Sequence, residues 1–186
     1  MVKNMVLKPW KKLGSRKAAD LKLFRARWDK LENPRTGQAM ERLVLETPDW
    51  VNVVPVTTDG EVVLVHQYRF GIEALSVEIP GGLIDPGEDS EAAARRELAE
   101  ETGFTGGDWQ YLGMVEPNPA FHNNDCHHWL AWDVIKTQEP VLDAGEDILV
   151  QTVSFDKIRQ MISSGELKHV LALSALSRVK AIWQKM

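Results

Sequence analysis

The spacing of apolar and polar residues changes several times along this chain, and each change marks an element. Residues 15–47 alternate weakly through Leu21, Leu23, Arg25 and Trp28. They break at Asn33-Pro34-Arg35-Thr36-Gly37 and resume at Arg42-Leu43-Val44-Leu45. Alternation on both sides of a proline–glycine cluster predicts strand, turn, strand. Val51 to Thr57 and Glu61 to Tyr68, joined at Asp59-Gly60, predict a second hairpin. Ala74 to Ile79, Trp109 to Val115, His127 to Val134 and Leu149 to Val153 read as further strands. Ser154 is a good cap for a helix ending near Gly165, and Leu167 to Trp183 repeats apolar residues at helical spacing, as a terminal helix would. The pattern predicts a sheet with helices on its faces, preceded by an N-terminal β-extension over residues 1–47.

A different kind of helix is expected between Glu88 and Glu101. Asp89 and Ser90 are N-cap types, and Gly103 is a good stop. Glu97, Glu100 and Glu101 stand at i, i+3 and i+4, so they share a face, and they fall in the last turn. The helix dipole is negative there, so each carboxylate costs roughly 0.3–1 kcal/mol where a cation would be favoured. Three acidic residues on one unfavourable face point to a missing positive partner. A hard divalent cation with oxygen ligands suits them, Mg²⁺ first and Mn²⁺ as a substitute. Just upstream, Pro80-Gly81-Gly82 and Asp85-Pro86-Gly87 are tight-turn material, and glycine lets backbone approach a ligand closely.

The segment reads Gly82, five residues, Glu88, seven residues, then Arg96-Glu97-Leu98-Ala99-Glu100-Glu101-Thr102-Gly103-Phe104. It resembles the Nudix box of the Nudix hydrolases, with no departure at any defining position. The resemblance implies an α/β fold, an α/β/α sandwich around a mixed sheet. It also implies Mg²⁺-dependent hydrolysis of a nucleoside diphosphate linked to another group. By position, Glu97 and Glu101 match the main metal ligands and Glu100 a further one, with the Gly81 carbonyl as a backbone ligand. Glu88 matches the residue that pairs with Arg96 and orients the cluster.

Residues outside the box narrow the resemblance. Gln67-Tyr68-Arg69, then Glu78-Ile79-Pro80-Gly81-Gly82, is similar to the arrangement in ADP-ribose pyrophosphatases and other nucleoside diphosphate sugar hydrolases. Arg69 could grip a phosphate through its fork of donors, or sit in a surface pair. Glu78 matches a glutamate that helps bind substrate or metal, with a strand-end surface charge as the alternative. Pro119 lies fifteen residues after Phe104, as such enzymes have it, but Ala120-Phe121-His122-Asn123-Asn124 departs from their usual continuation. Asp143-Ala144-Gly145-Glu146-Asp147-Ile148 resembles the loop that supplies the general base, with Glu146 in that place and Ala144 where many relatives carry a second glutamate. Trp28 and Trp50 could stack on a base or pack in a core or subunit interface. His127 and His128, adjacent on a strand, should point to opposite faces.

Charge sharpens the domain picture. Residues 1–47 carry +7 and residues 48–186 carry −12. The basic extension could attract a polyphosphate, pair with the acidic body of a partner subunit, or be a solvated surface. In enzymes of the resembled family the N-terminal strands often cross to a second subunit, so the reading is an extension over 1–47 that dimerises and a hydrolase domain over 48–186. One cysteine, Cys126, excludes an internal disulfide and suits a reducing, cytoplasmic setting. No apolar run reaches membrane-span length, no signal-peptide core is visible, and no aromatic–basic interleaving suggests nucleic acid. Two other readings stay open: a pyrophosphatase for nucleoside triphosphates or dinucleoside polyphosphates, and a non-catalytic nucleotide-sugar sensor.

Overall fold

The computed structural model describes residues 7–184, and they group into two compact units. Residues 1–6 of the expected extension, and the last two of the chain, lie outside the described residues. One unit takes the described residues up to Thr47 together with Glu116–Asn124. The other takes Pro48–Val115 and the described residues from Asp125 onward.

The first unit holds β1 (Lys11–Asp20), β2 (Arg25–Glu32) and β3 (Ala39–Glu46), antiparallel and in that order. There are three strands where alternation predicted two. The chain reverses at Leu21–Phe24, where Lys22 takes a φ of 66° and the Leu21 N–H donates to the Phe24 carbonyl at 2.8 Å. No glycine or proline marks that turn, so the alternation runs straight through it. β1 is an edge strand, and every one of its residues is exposed. Asp29 is buried, and accepts from Lys12 Nζ at 2.8 Å, Ser15 Oγ at 2.6 Å and Arg27 Nε at 3.1 Å; Arg27 also holds Glu46.

The second unit is built on β4 (Trp50–Thr57), β5 (Val62–Arg69), β6 (Ala74–Glu78), β7 (Phe104–Val115), β8 (Cys126–Lys136) and β9 (Ile148–Val153). The sheet is mixed, since β4 and β8 run parallel and the other pairs are antiparallel. Almost every residue of β4 is buried, as expected for a strand covered on both faces. Val51 and Val53 belong to an apolar cluster with Ala93, Ala94 and Leu98 of α1 (Ser90–Thr102). Val54 and Val56 belong to a second cluster, with Ile158 and Met161 of α2 (Phe155–Ser164), Leu176 of α3 (Val170–Ser177) and Ile182 of α4 (Lys180–Trp183). Helices on both faces of a mixed sheet make the α/β/α sandwich.

β4 and β5 do not form the simple hairpin that the sequence suggests. They share one residue pair, Val56 with Val62, and then part. Val62 also pairs with Val153, and Val65 pairs with both Glu78 and Val150. β4 and β6 therefore lie along the same edge of β5, with β9 on the other. The N–H groups of Val51 and Val53 point into the opening, to the carbonyls of Gly82 and Pro80, each at 2.9 Å, while that of Thr57, on the same edge, reaches the Glu61 carbonyl in the β4–β5 turn at 2.8 Å. Pro55 occupies the fourth position on that edge and has no N–H to offer, so the ladder gives out there. The chain leaving β6 enters as a wedge, and Pro80-Gly81-Gly82 takes the place beside β4 that β5 has left.

The expected terminal helix is broken in two. Arg178 ends α3 and Val179 is extended before α4 begins. The Arg178 guanidinium instead reaches the carbonyls of Leu112 and Met114 at 2.7 and 3.3 Å, across the irregularity in β7 at Gly113. Among the described residues, no helix is long and apolar enough to cross a membrane.

Asp29 gives a pH test of the first unit. Burial raises its carboxyl pKa, but the bonds from Lys12, Ser15 and Arg27 outweigh that and pull it down to about 2. A depressed pKa stabilises the fold fully above the unfolded carboxylate range, about 4, and that contribution is lost as pH falls toward 2. The protection of the β1–β3 amides against hydrogen exchange, taken relative to the intrinsic rate at each pH, should fall over that window, and Asp29→Asn should flatten the response. The same pH response in both proteins would remove Asp29 from this role.

Candidate active site

The wedge and α1 carry most of the chemistry. Asp89 caps α1 by accepting from the N–H groups of Glu91 and Ala92, each at 2.9 Å, and Gly103 ends it in the left-handed region at φ 75°. The last turn holds no basic residue. Ala93, Ala94 and Leu98 face the sheet, which sets Glu97, Glu100 and Glu101 on and beside the flank next to the wedge.

Arg96 organises the near side of this cluster. Its Nε and Nη2 bond the two Glu88 oxygens at 3.0 and 2.9 Å, and Nη2 also bonds the Leu83 carbonyl at 3.0 Å. Its Nη1 bonds Glu97 at 2.8 Å and Glu100 at 3.1 Å. All five guanidinium donors are therefore occupied. The Glu88 bonds raise the Arg96 pKa most, burial opposes them, and Glu97 and Glu100 add to the rise. Glu88 in turn accepts from the Asp85 N–H at 3.2 Å, so the loop before α1 is tied to the helix.

Glu101 lies deepest. Its side chain accepts from the Gly81 N–H at 2.9 Å, and the residue is 3% exposed. Burial pushes its carboxyl pKa up to about 8; the Gly81 bond opposes this, while Glu97 and Glu146 add to it. Glu97 is also raised, by burial first, with Arg96 opposing and Glu100 and Glu146 adding. Both glycines of the wedge are required by close approach. A Cβ on Gly81 would collide with the Val51 carbonyl and the Asn52 side chain, and one on Gly82 would collide with the Glu97 carboxylate.

Arg69 and Glu78 form a second clamp. Arg69 Nε and Nη2 each bond Glu78 at 2.8 Å, Glu78 is 2% exposed, and the arginine is nearly half exposed. The fork expected to grip a phosphate thus has one edge on Glu78, leaving Nη1 and one Nη2 hydrogen for a ligand. Arg69 feels the charges of Glu101 and Glu146, and Glu146 acts on Glu97 as well. Glu146 closes a turn on its own loop, accepting from the Asp143 N–H at 3.0 Å.

The structure thus brings Gly81, Glu97, Glu100, Glu101, Glu88, Arg96, Arg69, Glu78 and Glu146 into one electrostatic neighbourhood. Trp50 opens β4, half-buried, and bridges to Leu83. Trp28 belongs to the first unit, where the Arg16 guanidinium lies 5.7 Å from its ring centre. Two residues go unnoticed from sequence. Asn52 backs the wedge, and its signal is a lone amide in a valine-rich strand. His169, in the turn before α3, stands 3.7 Å from Glu78 and carries no local signal. His127 and His128 do point to opposite faces: His127 Nδ1 meets the Tyr111 hydroxyl at 2.9 Å, and His128 is fully buried beside Ser174. Burial pushes the Cys126 thiol up to about 12, so it is no nucleophile.

Among the described residues, no three acidic, histidine or cysteine side chains converge as a finished metal cage. Glu97 and Glu100 turn to Arg96, and Glu101 turns to Gly81. The donor set nevertheless fits a hard cation. It is all oxygen, and two of its carboxylates are buried with raised pKa values that a nearby positive charge would bring down.

The chain is similar to several known proteins. A family model described as the NUDIX domain matches residues 47–172. The ADP-ribose pyrophosphatase of Bacillus subtilis (strain 168) is 33% identical over 132 residues, covering 70% of this chain and 71% of that protein. The methanol dehydrogenase activator of Bacillus methanolicus is 31% identical over 161 residues, covering 84% of this chain and 86% of that protein. A crystal structure of an ADP compounds hydrolase superposes with a TM-score of 0.83 over 95% of both chains; at 24% identity it shows the fold.

The two glycines should respond differently to alanine. At Gly81 the obstacle is strand backbone, so Gly81→Ala should cost about 1–3 kcal/mol of stability and lower the melting temperature. At Gly82 the obstacle is a carboxylate that can swing, so Gly82→Ala should melt close to wild type while displacing Glu97. Equal melting temperatures for wild type and Gly81→Ala would show that the wedge is not packed this closely on β4.

Proposed function

Because the chain belongs to the NUDIX family and is a hydrolase, we propose that it cleaves the diphosphate bond of ADP-ribose and related nucleoside diphosphate sugars, with Mg²⁺, to a nucleoside monophosphate and a sugar phosphate. The observation that carries this reading is the meeting of two opposite demands in one place. Glu101 is a buried carboxylate held only by a backbone N–H, Glu97 shares its one cation, Arg96, with Glu88 and Glu100, and Arg69 is a half-exposed cation with donors to give. A diphosphate with its divalent cation answers both. The names of the relatives favour an ADP-linked substrate.

Glu97, Glu101, Glu100 and the Gly81 carbonyl would hold the cation, with Mn²⁺ as a substitute. Bound there, it supplies positive charge for the diphosphate and for activating water. Glu88 and Arg96 keep the carboxylates facing the wedge. Arg69, steadied by Glu78 until the substrate arrives, orients the phosphates. Glu146 leaves its turn with Asp143 and takes the proton of the attacking water. Trp50 offers an aromatic face for the base, and Trp28, in the first unit, is a separate aromatic candidate.

The reading includes a homodimer made through the extension of residues 1–47, and a reducing cytoplasmic setting. β1 supports the dimer, because it is an open edge strand with all ten residues exposed, in a segment carrying +7. Light scattering after size exclusion should give twice the chain mass at micromolar concentration. A monomer would end that part of the reading.

The direct test is turnover with Mg²⁺ on ADP-ribose, other nucleotide sugars, nucleoside triphosphates and dinucleoside polyphosphates. Nucleoside monophosphate should form from the nucleotide sugars; cleavage of triphosphates alone would move the enzyme to another substrate class. Glu97→Gln and Glu101→Gln should each lose ~10²-fold or more in kcat/KM while remaining folded, since even groups that only support metal ligands cost 10–100-fold. Glu146→Gln should lose ~10²–10⁴-fold, chiefly in kcat. Full activity in Glu97→Gln or Glu101→Gln would sink the assignment of the site.

A further inference from the structure

The Arg69–Glu78 clamp poses a problem for the function proposed above. Glu78 is almost fully buried and accepts two hydrogen bonds from Arg69, each at 2.8 Å. The outward Nη donors of Arg69 can make the first contact with a diphosphate, but Arg69 cannot extend further and turn its Nε and Nη2 edge to the ligand without abandoning that carboxylate. Removing one partner of a buried charged pair leaves the other uncompensated, which is strongly unfavourable. Ser76 also bonds Glu78, but one hydroxyl does not replace a guanidinium fork.

His169 stands where a replacement donor is needed. Its Nε2 is 3.7 Å from Glu78 Oε2, the oxygen that Arg69 Nη2 holds. That distance is too long for a hydrogen bond and short enough for a small rotation to make one. Its other nitrogen, Nδ1, is buried with no hydrogen-bond partner. The tautomer follows from this setting. A proton on Nδ1 would be a buried donor without an acceptor and would aim the Nε2 lone pair at a carboxylate. With the proton on Nε2, the ring presents an N–H to Glu78 instead. His169 immediately precedes α3 and caps it with no side-chain bond, so its ring has no competing local role in the helix.

We propose that His169 is a positioning residue that takes over Glu78 when Arg69 turns to the diphosphate of the substrate. Arg69 then has two states, docked on Glu78 and extended to the ligand, and His169 lowers the cost of the second. The residue touches neither the substrate nor the reacting atoms. Its effect falls on binding, through Arg69, and not on the chemical step.

The test reads KM and kcat for ADP-ribose alongside ADP binding by calorimetry, in wild type, His169→Leu and His169→Gln. The glutamine amide reaches about as far as Nε2 and keeps a donor there. His169→Leu should raise KM roughly tenfold with kcat little changed, and weaken ADP binding in parallel, because a buried carboxylate is left short of a donor in the bound state. His169→Gln should recover most of the loss. In a Glu78→Gln background, where no buried charge needs holding, His169→Leu should add little. A merely structural role would lower the melting temperatures of His169→Leu without the split between KM and kcat, and without dependence on residue 78. Unchanged KM and ADP affinity in His169→Leu, or the same penalty in both backgrounds, overturns the proposal. A wild-type chain that binds ADP but cleaves no ADP-ribose sinks the function above and leaves the ADP arm to decide this one; a chain that binds no ADP overturns both.

Discussion

The parting of β4 from β5 at Pro55 is the constraint on which the rest depends. A continuous ladder would have closed the edge of β4 with β5 and left no place for the wedge. Because position 55 offers no N–H, the strands separate after a single pair, and Pro80-Gly81-Gly82 enters the gap with its carbonyls on Val53 and Val51. The wedge delivers the Gly81 N–H to Glu101 and brings Gly82 against Glu97. Alanines at 93 and 94 let α1 pack on the sheet beside it. Backbone hydrogen bonding thus fixes where the charged groups meet, before any charge is considered.

The charges themselves are arranged against local stability. Removing an ion from water costs several kcal/mol after relaxation, and Glu78, Glu97 and Glu101 are all well buried. Two arginines offset part of that. Arg96 gathers Glu88, Glu97 and Glu100 with every donor it has, and Arg69 holds Glu78 with half of its fork. Glu101 has only a backbone N–H, and burial pushes its carboxyl pKa up to about 8, whereas Arg69 helps hold that of Glu78, against burial, below the usual range. The remaining imbalance is negative, sits beside the wedge, and is what a divalent cation would neutralise. The distribution separates roles as well: Arg96 is fully committed to structure, while Arg69 keeps donors facing outward.

What the sequence made legible was local. The caps of α1, its boundaries and the shared face of Glu97, Glu100 and Glu101 depend on spacings of a few residues, and they stand where expected. So do α2, with Ser154 and Gly165 at its ends. The features that eluded it are long-range or lack punctuation. The break between β1 and β2 has no glycine or proline, and Lys22 adopts the left-handed conformation that glycine would normally signal. The break after α3 coincides with Arg178 reaching a distant strand, a contact that no local spacing announces. The β4–β5 parting had one sign, Pro55, but alternation and the Asp59-Gly60 turn outweighed it. Arg69, Glu78 and His169 lie on two strands and a turn, and only the fold shows that the arginine's fork is half occupied and that a histidine waits beside its partner.

The account rests on the wedge and the C-terminal half of α1 forming one cation site. Adding substoichiometric Mn²⁺ to ¹⁵N-labelled protein and recording which amide signals broaden tests this without relying on turnover. The account predicts that Gly81, Gly82 and residues 97–101 lose intensity first, and that Glu101→Gln weakens the effect. Broadening centred instead on the exposed acidic residues of the Asp143–Asp147 loop or the start of α1, with the wedge unaffected, would contradict it.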